Sequence, residues 1–339
     1  MLCPFCLKQT EFIRKQEERG GNANQRGRVM EYMACPSCES EVPRMYINNY
    51  EACPPAIVSA VGFPNHGKSV YLSSLFRLMR SPELDRRWRG YVTWPVNQGS
   101  LDRIKAAIRE IDDRRLPSAT PRVFPTPTLM QVKNLPDTLD RTLIMYDTAG
   151  ETFRDGNDIG QYADFVARAE TVLFFVSLSD LSKENRPEEL RDLLETYVMG
   201  VENLGTTRKT QSLCVVLTKA DEYAEQFGSK WPFPETALFL PPGEEAYLRP
   251  NDVYAISRKL RNFFDSALNA EAFLTKADDF FSSVRFTYVS ALGERPTLDN
   301  RLESDARHCR LLDPILYVMR GDAHAKQTPI GKIWEWLGR

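Results

Sequence analysis

The stretch "AVGFPNHGKSVYL" at residues 60–72 carries the spacing Gly62-x4-Gly67-Lys68-Ser69, between an apolar run (Ala56, Ile57, Val58) and a helix-like pattern. These residue types at this spacing can cradle phosphate. Backbone amides from Gly62 through Asn65, His66 and Gly67 to Val70 would wrap a β-phosphate, helped by the positive end of the following helix. Lys68 would reach the β- and γ-phosphates, and the Ser69 hydroxyl would ligate Mg²⁺. By itself the pattern also fits an ordinary strand-to-helix turn. A second element, "TLIMYDTAGE" (residues 142–151), ends an apolar strand on Asp147, placed to hold Mg²⁺ through water, with Gly150 following where its amide could approach a γ-phosphate. A third, "LCVVLTKAD", closes another apolar run with Thr218, Lys219 and Asp221. A carboxylate there accepts from both the ring N–H and the exocyclic amino group of guanine, donors that adenine does not present together. Lys219 would lay its aliphatic stem along the base. Ser290, Ala291 and Leu292 in "YVSALG" end the last strand and could offer an amide to the guanine O6.

Of the seven cysteines, four are paired as Cys3-x2-Cys6 and Cys35-x2-Cys38, while Cys53, Cys214 and Cys309 are scattered. Two Cys-x2-Cys knuckles fit a tetrahedral Cys₄ zinc ribbon rather than disulfides in a chain without a signal region. The polar "ERGGNANQRGRV" between them reads as a hairpin or loop. Basic and acidic residues nearly balance within residues 1–50. The ribbon is therefore either a docking module for a protein partner or a structural cap.

The elements that must position these residues alternate along the chain. Short apolar runs at 56–62, 129–134, 141–147, 171–178, 212–218 and 284–290 read as six strands, the later ones buried on both faces as in parallel sheets. Helical spacing appears at Leu101, Ile104, Ile108 and Ile111, and at Leu190, Leu193, Leu194 and Tyr197. The expectation is a doubly wound α/β fold with a mostly parallel six-stranded sheet and helices on both faces. Residues 1–50 form the ribbon and 51–321 the main domain, with insertions near 82–116 and 223–283. Residues 322–339 form a helical tail whose Ile330, Ile333, Trp334 and Leu337 share a face, for packing or for a partner.

Composition excludes some function classes. A net charge of −2 over 339 residues, with 42% hydrophobic residues, argues for a full core and against DNA or anionic membranes as bulk partners. The start "MLCPFCLKQT" has no apolar signal region, and the expected location is cytoplasmic.

The four motifs in order resemble the TRAFAC class of P-loop GTPases, Ras-like and translation-factor-like, over roughly residues 54–321. "GFPNHGKS" and "DTAGE" look closest to bacterial members. The ribbon and "RLLDPILYVM" (residues 310–319) are similar to bacterial double-GTPase proteins of conflict or defence gene clusters. The resemblance implies GTP/GDP and Mg²⁺ beside Zn²⁺, and GTP hydrolysis as a switch acting on a protein effector or regulator. Three departures matter. Glu151 stands where Ras-like members carry a water-orienting Gln; as a catalytic candidate it could orient water too, but its charge near an anionic phosphate implies slow intrinsic turnover. Pro64 stands where many relatives have Gly. The switch threonine is open among Thr120, Thr126 and Thr128 in "SATPRVFPTPTLMQV", with Thr126 preferred, and Arg122 is either an internal arginine finger or a solvated loop residue. A rival reading is a hydrolysis-poor GTP-sensing scaffold that relays its nucleotide state; a third is an RNA- or ribosome-associated GTPase.

Overall fold

The computed structural model describes residues 1–19, 28–181, 186–233 and 250–325. The N-terminal unit is a small antiparallel sheet of β1 (Ile13–Arg19), β2 (Arg28–Ala34) and β3 (Glu41–Val42), followed by α1 (Arg44–Asn48). β1 and β2 are the hairpin arms between the two cysteine pairs, in register from Ile13 opposite Ala34 to Arg19 opposite Arg28. The "GGNANQRG" tip lies outside the described residues.

From Pro55 onward strands and helices alternate: β4 (Pro55–Val61), α2 (Lys68–Met79), α3 (Pro82–Arg87), β5 (Val92–Pro95), α4 (Gln98–Asp112), β6 (Thr128–Lys133), β7 (Arg141–Tyr146), α5 (Gly156–Tyr162) and β8 (Thr171–Ser177). There follow α6 (Leu178–Leu181), α7 (Arg186–Asn203), β9 (Ser212–Thr218), α8 (Tyr223–Gln226), α9 (Pro250–Ser266), α10 (Glu271–Phe280), β10 (Val284–Tyr288) and α11 (Asp313–Ala325). The main sheet has the order β10-β9-β8-β4-β7-β6-β5. Strands β10, β9, β8, β4 and β7 are mutually parallel, β6 is antiparallel to both of its neighbours β7 and β5, and β5 therefore runs in the direction of the other five.

The doubly wound α/β architecture is as expected, but the sheet has seven strands rather than six. The added strand is β5, supplied by the insertion at 82–116. Its four residues lie at the sheet edge, none of them buried, with Trp94 exposed and Pro95 last. A half-open edge strand of this length carries no alternating apolar pattern, which is why the sequence hides it.

Parallel strands covered on both faces must be apolar throughout, and β7, β8 and β9 are buried at every position. Alternate residues feed two cores. Ile144, Tyr146, Val172, Phe174 and Val215 meet residues of α5, α7, α9 and α10. Leu143, Met145, Leu173, Phe175 and Val216 meet residues of α2, α4 and α11. The helices α9 and α10 of the 223–283 insertion thus roof the sheet through Phe264 and Phe273; residues 234–249 of that insertion lie outside the described residues. Cys3, Leu7, Phe12, Val42 and Tyr46 belong to the first core too, so the N-terminal unit is seated on the sheet. Helix α11 runs through the expected boundary at residue 321, and the tail residues 326–339, with both tryptophans, lie outside the described residues. Among the described residues no helix is long and apolar enough to cross a membrane.

β4 lies between β7 and β8: the chain goes to one side of it first and to the other afterwards. Strand order therefore reverses beside β4, and in such sheets the ligand crevice opens at the carboxyl ends of the strands at that point. All four motifs sit at those ends.

Candidate functional site

The loop between β4 and α2 has the geometry its glycines announce. Asn65 (φ 65°) and Gly67 (φ 78°) take left-handed conformations. Gly67 is the residue before the first turn of α2, so the amides of Lys68, Ser69 and Val70 point out of the helix N-terminus. Lys68 is buried, and its Nζ donates to the carbonyls of Gly62 and Phe63, both at 2.9 Å. Burial pushes its ammonium down to about 8, opposed by the charges of Asp147 and Glu151.

Three chain segments meet in front of this loop. The Ser69 hydroxyl donates to Asp147 Oδ1 (3.0 Å), the Thr120 hydroxyl donates to Asp147 Oδ2 (3.0 Å), and the two hydroxyl oxygens lie 2.9 Å apart. Burial raises the Asp147 carboxyl, opposed by these two hydrogen bonds and by Lys68. One carboxylate and two hydroxyls are hard oxygen donors, the set that suits Mg²⁺. Gly150 lies against the loop: a Cβ there would sit 2.3 Å from the Pro64 nitrogen and 2.5 Å from the Phe63 carbonyl carbon, so only glycine allows this approach. Glu151 is exposed at the start of the 3₁₀ turn Gly150–Arg154.

The segments expected to read the base are tied to the same crevice. Thr218 donates to the His66 carbonyl (2.9 Å), joining β9 to the phosphate loop. Lys219 is left-handed (φ 57°), and the Ala220 amide donates to the Val289 carbonyl (3.2 Å). Ser290 donates to Asp221 Oδ1 (2.6 Å) and accepts from the Gly293 amide (3.0 Å), which orders the loop through Ala291 and Leu292. Burial raises the Asp221 carboxyl, opposed by the Ser290 hydrogen bond.

At the other end of the chain, the two knuckles are near-copies. Both read Cys-Pro-x-Cys, both close with an amide on the first cysteine's carbonyl (Leu7 to Cys3, 3.0 Å; Glu39 to Cys35, 2.9 Å), and both end left-handed at Leu7 and Glu39. The four sulfurs lie within 4.8 Å of one another, with Cys3–Cys38 at 3.8 Å and Cys6–Cys35 at 3.7 Å. A tetrahedral zinc with bonds of about 2.3 Å requires sulfur–sulfur edges of about 3.8 Å. The four cysteines fit that ion.

Comparison with protein families matches the Double-GTPase 2 family over residues 56–284, more than half of the chain. The chain belongs to that family. Membership, with the loops described above, supports a GTP-binding protein. Comparison with curated proteins finds no match. Among solved structures, the chain is similar to a bacterial selenocysteine-specific elongation factor EF-Sec (13% identity, TM-score 0.30, covering 70% of this chain and 25% of that one). It is similar also to the GTP-bound Ski7 GTPase-like domain of S. cerevisiae (12%, 0.35, 82% and 52%) and to Sup35 complexed with GDP (12%, 0.31, 74% and 40%). The double-GTPase chain thus spans a quarter to about half of those chains.

Within this double-GTPase, most of the expected site residues converge, and the threonine among them differs from the one preferred on sequence. The hydroxyl brought to Ser69 and Asp147 belongs to Thr120, whereas Thr126 is exposed. Beside Thr126 the loop is held away by Arg103, whose guanidinium donates to the Pro127 carbonyl (2.6 Å) and the Thr128 hydroxyl (3.1 Å), pinning that end to α4. The His66 ring is buried and meets the Phe175 carbonyl (Nδ1, 2.8 Å) and Asp180 (Nε2, 3.3 Å), which leaves its backbone amide, the group the loop pattern calls on, to the loop. Arg122 pairs with Asp158 and lies over the Tyr162 ring, on α5. Sequence reasoning missed Tyr146 altogether, because a tyrosine ending an apolar strand looks like core.

Proposed function

We propose that this double-GTPase binds GTP with Mg²⁺ through Gly62–Val70, Asp147, Thr120 and the Asp221–Ser290 pair, and hydrolyses it to GDP as a switch for a protein partner. The observation that carries this reading is the triangle of Ser69, Thr120 and Asp147, which joins the phosphate loop and two other loops through one set of oxygen atoms. Mg²⁺ held there would neutralise charge between the β- and γ-phosphates. Gly150 and Lys68 would face the γ-phosphate, so losing that group would release contacts from all three segments. Glu151 would orient the attacking water, and the cysteine cluster would hold zinc.

Two observations favour slow intrinsic turnover, the feature on which the scaffold reading depends. Glu151 puts an anionic group beside an anionic reaction centre, and Arg122 is engaged by Asp158 and Tyr162. Phosphate release from GTP, compared with ATP and with Mg²⁺ removed, tests the proposal. Mg²⁺-dependent, GTP-selective turnover supports the enzyme; tight GTP binding with no release, with Glu151→Gln equally silent, favours the scaffold; no GTP binding overturns both.

A further inference from the structure

Tyr146 closes β7, and the next residue is Asp147. Its side chain is fully buried on the face of the sheet that carries the N-terminal unit. The ring stacks on Phe165 (centroids 4.2 Å apart, planes 13° apart), and Phe124, from the loop that carries Thr120, rests edge-on against both rings at 6.0 and 6.3 Å. Its hydroxyl donates to the Pro4 carbonyl at 3.0 Å, a buried contact. Pro4 lies inside the first cysteine knuckle, between Cys3 and Cys6.

That knuckle is gripped on its other side by its own unit. Tyr46 donates to the Leu2 carbonyl (2.7 Å) and the Leu2 amide donates to the Tyr50 hydroxyl (2.8 Å). Asn49 donates to Gln131 of β6 (2.9 Å), which fixes the unit's exit over the same strands. These contacts hold the segment before Pro4; Pro4 itself lies between Cys3 and Cys6, so the direction of its carbonyl depends on those two sulfurs being held against Cys35 and Cys38.

We propose that Tyr146 is a positioning residue that couples the zinc knuckle to the Mg²⁺-nucleotide site through Asp147. The proposal rests on the reading of the phosphate site given above. Zinc fixes the knuckle, the knuckle fixes the Tyr146 hydroxyl, and Tyr146 fixes the backbone from which Asp147 projects. If the knuckle opens, the Pro4 carbonyl withdraws and a buried O–H loses its acceptor, a costly state that drives the tyrosine to move. With its ring held between Phe165 and Phe124, the tyrosine shifts together with its backbone, and adjacent Cα atoms are locked about 3.8 Å apart, so that shift is passed to Asp147. Mg²⁺ tolerates such movement badly because it demands near-ideal octahedral geometry. Coupling of this kind is reciprocal: whatever factor zinc adds to Mg²⁺-nucleotide affinity, the nucleotide adds to zinc affinity. A ribbon that merely caps apolar surface would stabilise the fold with no such reciprocity.

The test uses the full zinc-loaded chain. Zinc affinity is measured by competition with a chromogenic chelator, alone, with GDP lacking Mg²⁺, and with Mg²⁺·GDP; nucleotide affinity is measured with a fluorescent GDP analogue. The loss of one buried hydrogen bond translates to about three- to tenfold in affinity. Mg²⁺·GDP is expected to tighten zinc by that factor, and GDP without Mg²⁺ to do less. Tyr146→Phe keeps the stacked ring, removes the O–H and is expected to bring the coupling factor to one. Equal zinc affinity with and without bound Mg²⁺·GDP in the wild type would overturn the coupling while leaving nucleotide binding intact, and this comparison needs no variant. Full coupling retained in Tyr146→Phe would overturn the role of Tyr146. Failure of the zinc-loaded chain to bind any guanine nucleotide would overturn the proposed function and the coupling together.

Discussion

Lys68 is buried at the mouth of the phosphate loop with its ammonium pushed down to about 8 from an ordinary 10.5. The gap corresponds to roughly 3 kcal/mol withheld from the charged form. In the nucleotide-free protein that charge costs stability, and the cost fades as pH rises through about 8 toward the unfolded value. A triphosphate reverses the balance by supplying negative charge and acceptors, returning the lysine to its ordinary range or higher. At pH 8 about half of the free protein carries a neutral Lys68, whereas the complex carries almost none, so binding takes up about half a proton; at pH 7 the uptake falls to about a tenth. Affinity should therefore drop as pH rises through 8, approaching tenfold per pH step beyond it. Both pH values lie below the titration of the guanine ring. Calorimetry of GTP binding in buffers of different ionisation enthalpy reads the uptake directly. No uptake at pH 8, with GTP still bound at the loop, would refute the claim that burial of Lys68 sets its protonation.

Thr120→Ala should weaken Mg²⁺·GTP binding by about ten- to a hundredfold, since a hydroxyl bonded to a carboxylate is worth more than a neutral pair. Thr126→Ala should stay within about twofold; the reverse order in a fluorescence titration would return the role to Thr126. Asp221→Asn should lose GTP and gain xanthosine triphosphate, shifting preference by about one to two orders of magnitude in competition binding, because xanthine replaces one of the two donors with an acceptor. Purified protein should carry about one zinc by elemental analysis, and the Cys35→Ser, Cys38→Ser double variant should lose it together with several degrees of melting temperature. Gly150→Ala should cut GTP affinity at least tenfold by the same binding assay, because its Cβ would meet the Phe63–Pro64 backbone.

What the sequence made legible is what chemistry constrains locally. Gly62 to Ser69 must be a loop between strand and helix, Asp147 must end a strand, and two Cys-x2-Cys pairs must face each other, and all three are where their spacing puts them. Strands β7 to β9 were readable because burial on both faces leaves no polar position. What stayed hidden was set by contacts distant in sequence. Thr120 rather than Thr126 meets Ser69 and Asp147 in a loop whose far end Arg103, on α4, holds at Pro127 and Thr128. The His66 ring turns from the loop because Phe175 offers a carbonyl and Asp180 a carboxylate. The strand β5 exists because β6 presents an open edge, a property of the sheet and not of "VTWP".

The parts of this chain that lie outside the minimal nucleotide site converge on one loop, residues 113–127. Its root is paired to the segment beyond β10: the Leu116 amide donates to the Asn300 carbonyl (3.0 Å), the Leu302 amide to the Arg114 carbonyl (3.0 Å), and Arg114 reaches Asp305 and the Glu303 carbonyl. That segment then returns to the loop Ser290–Leu292, where the Arg307 amide donates to the Leu292 carbonyl (2.7 Å) and Cys309 pairs with Ser290. The far end of the loop is held by Arg103, by Phe124 against Tyr146, and by Arg122 on Asp158. Individually the exposed ion pairs contribute little, but the backbone pairings and the aromatic contact fix the loop at both ends. The stretch left to rearrange is short, and Thr120 is inside it. A loop built this way cannot swing as a whole. Under the proposed function, its response to a γ-phosphate would be confined to the residues around the Thr120 hydroxyl, with the Ser290–Leu292 loop at one anchor and the cysteine knuckle, through Tyr146, at the other.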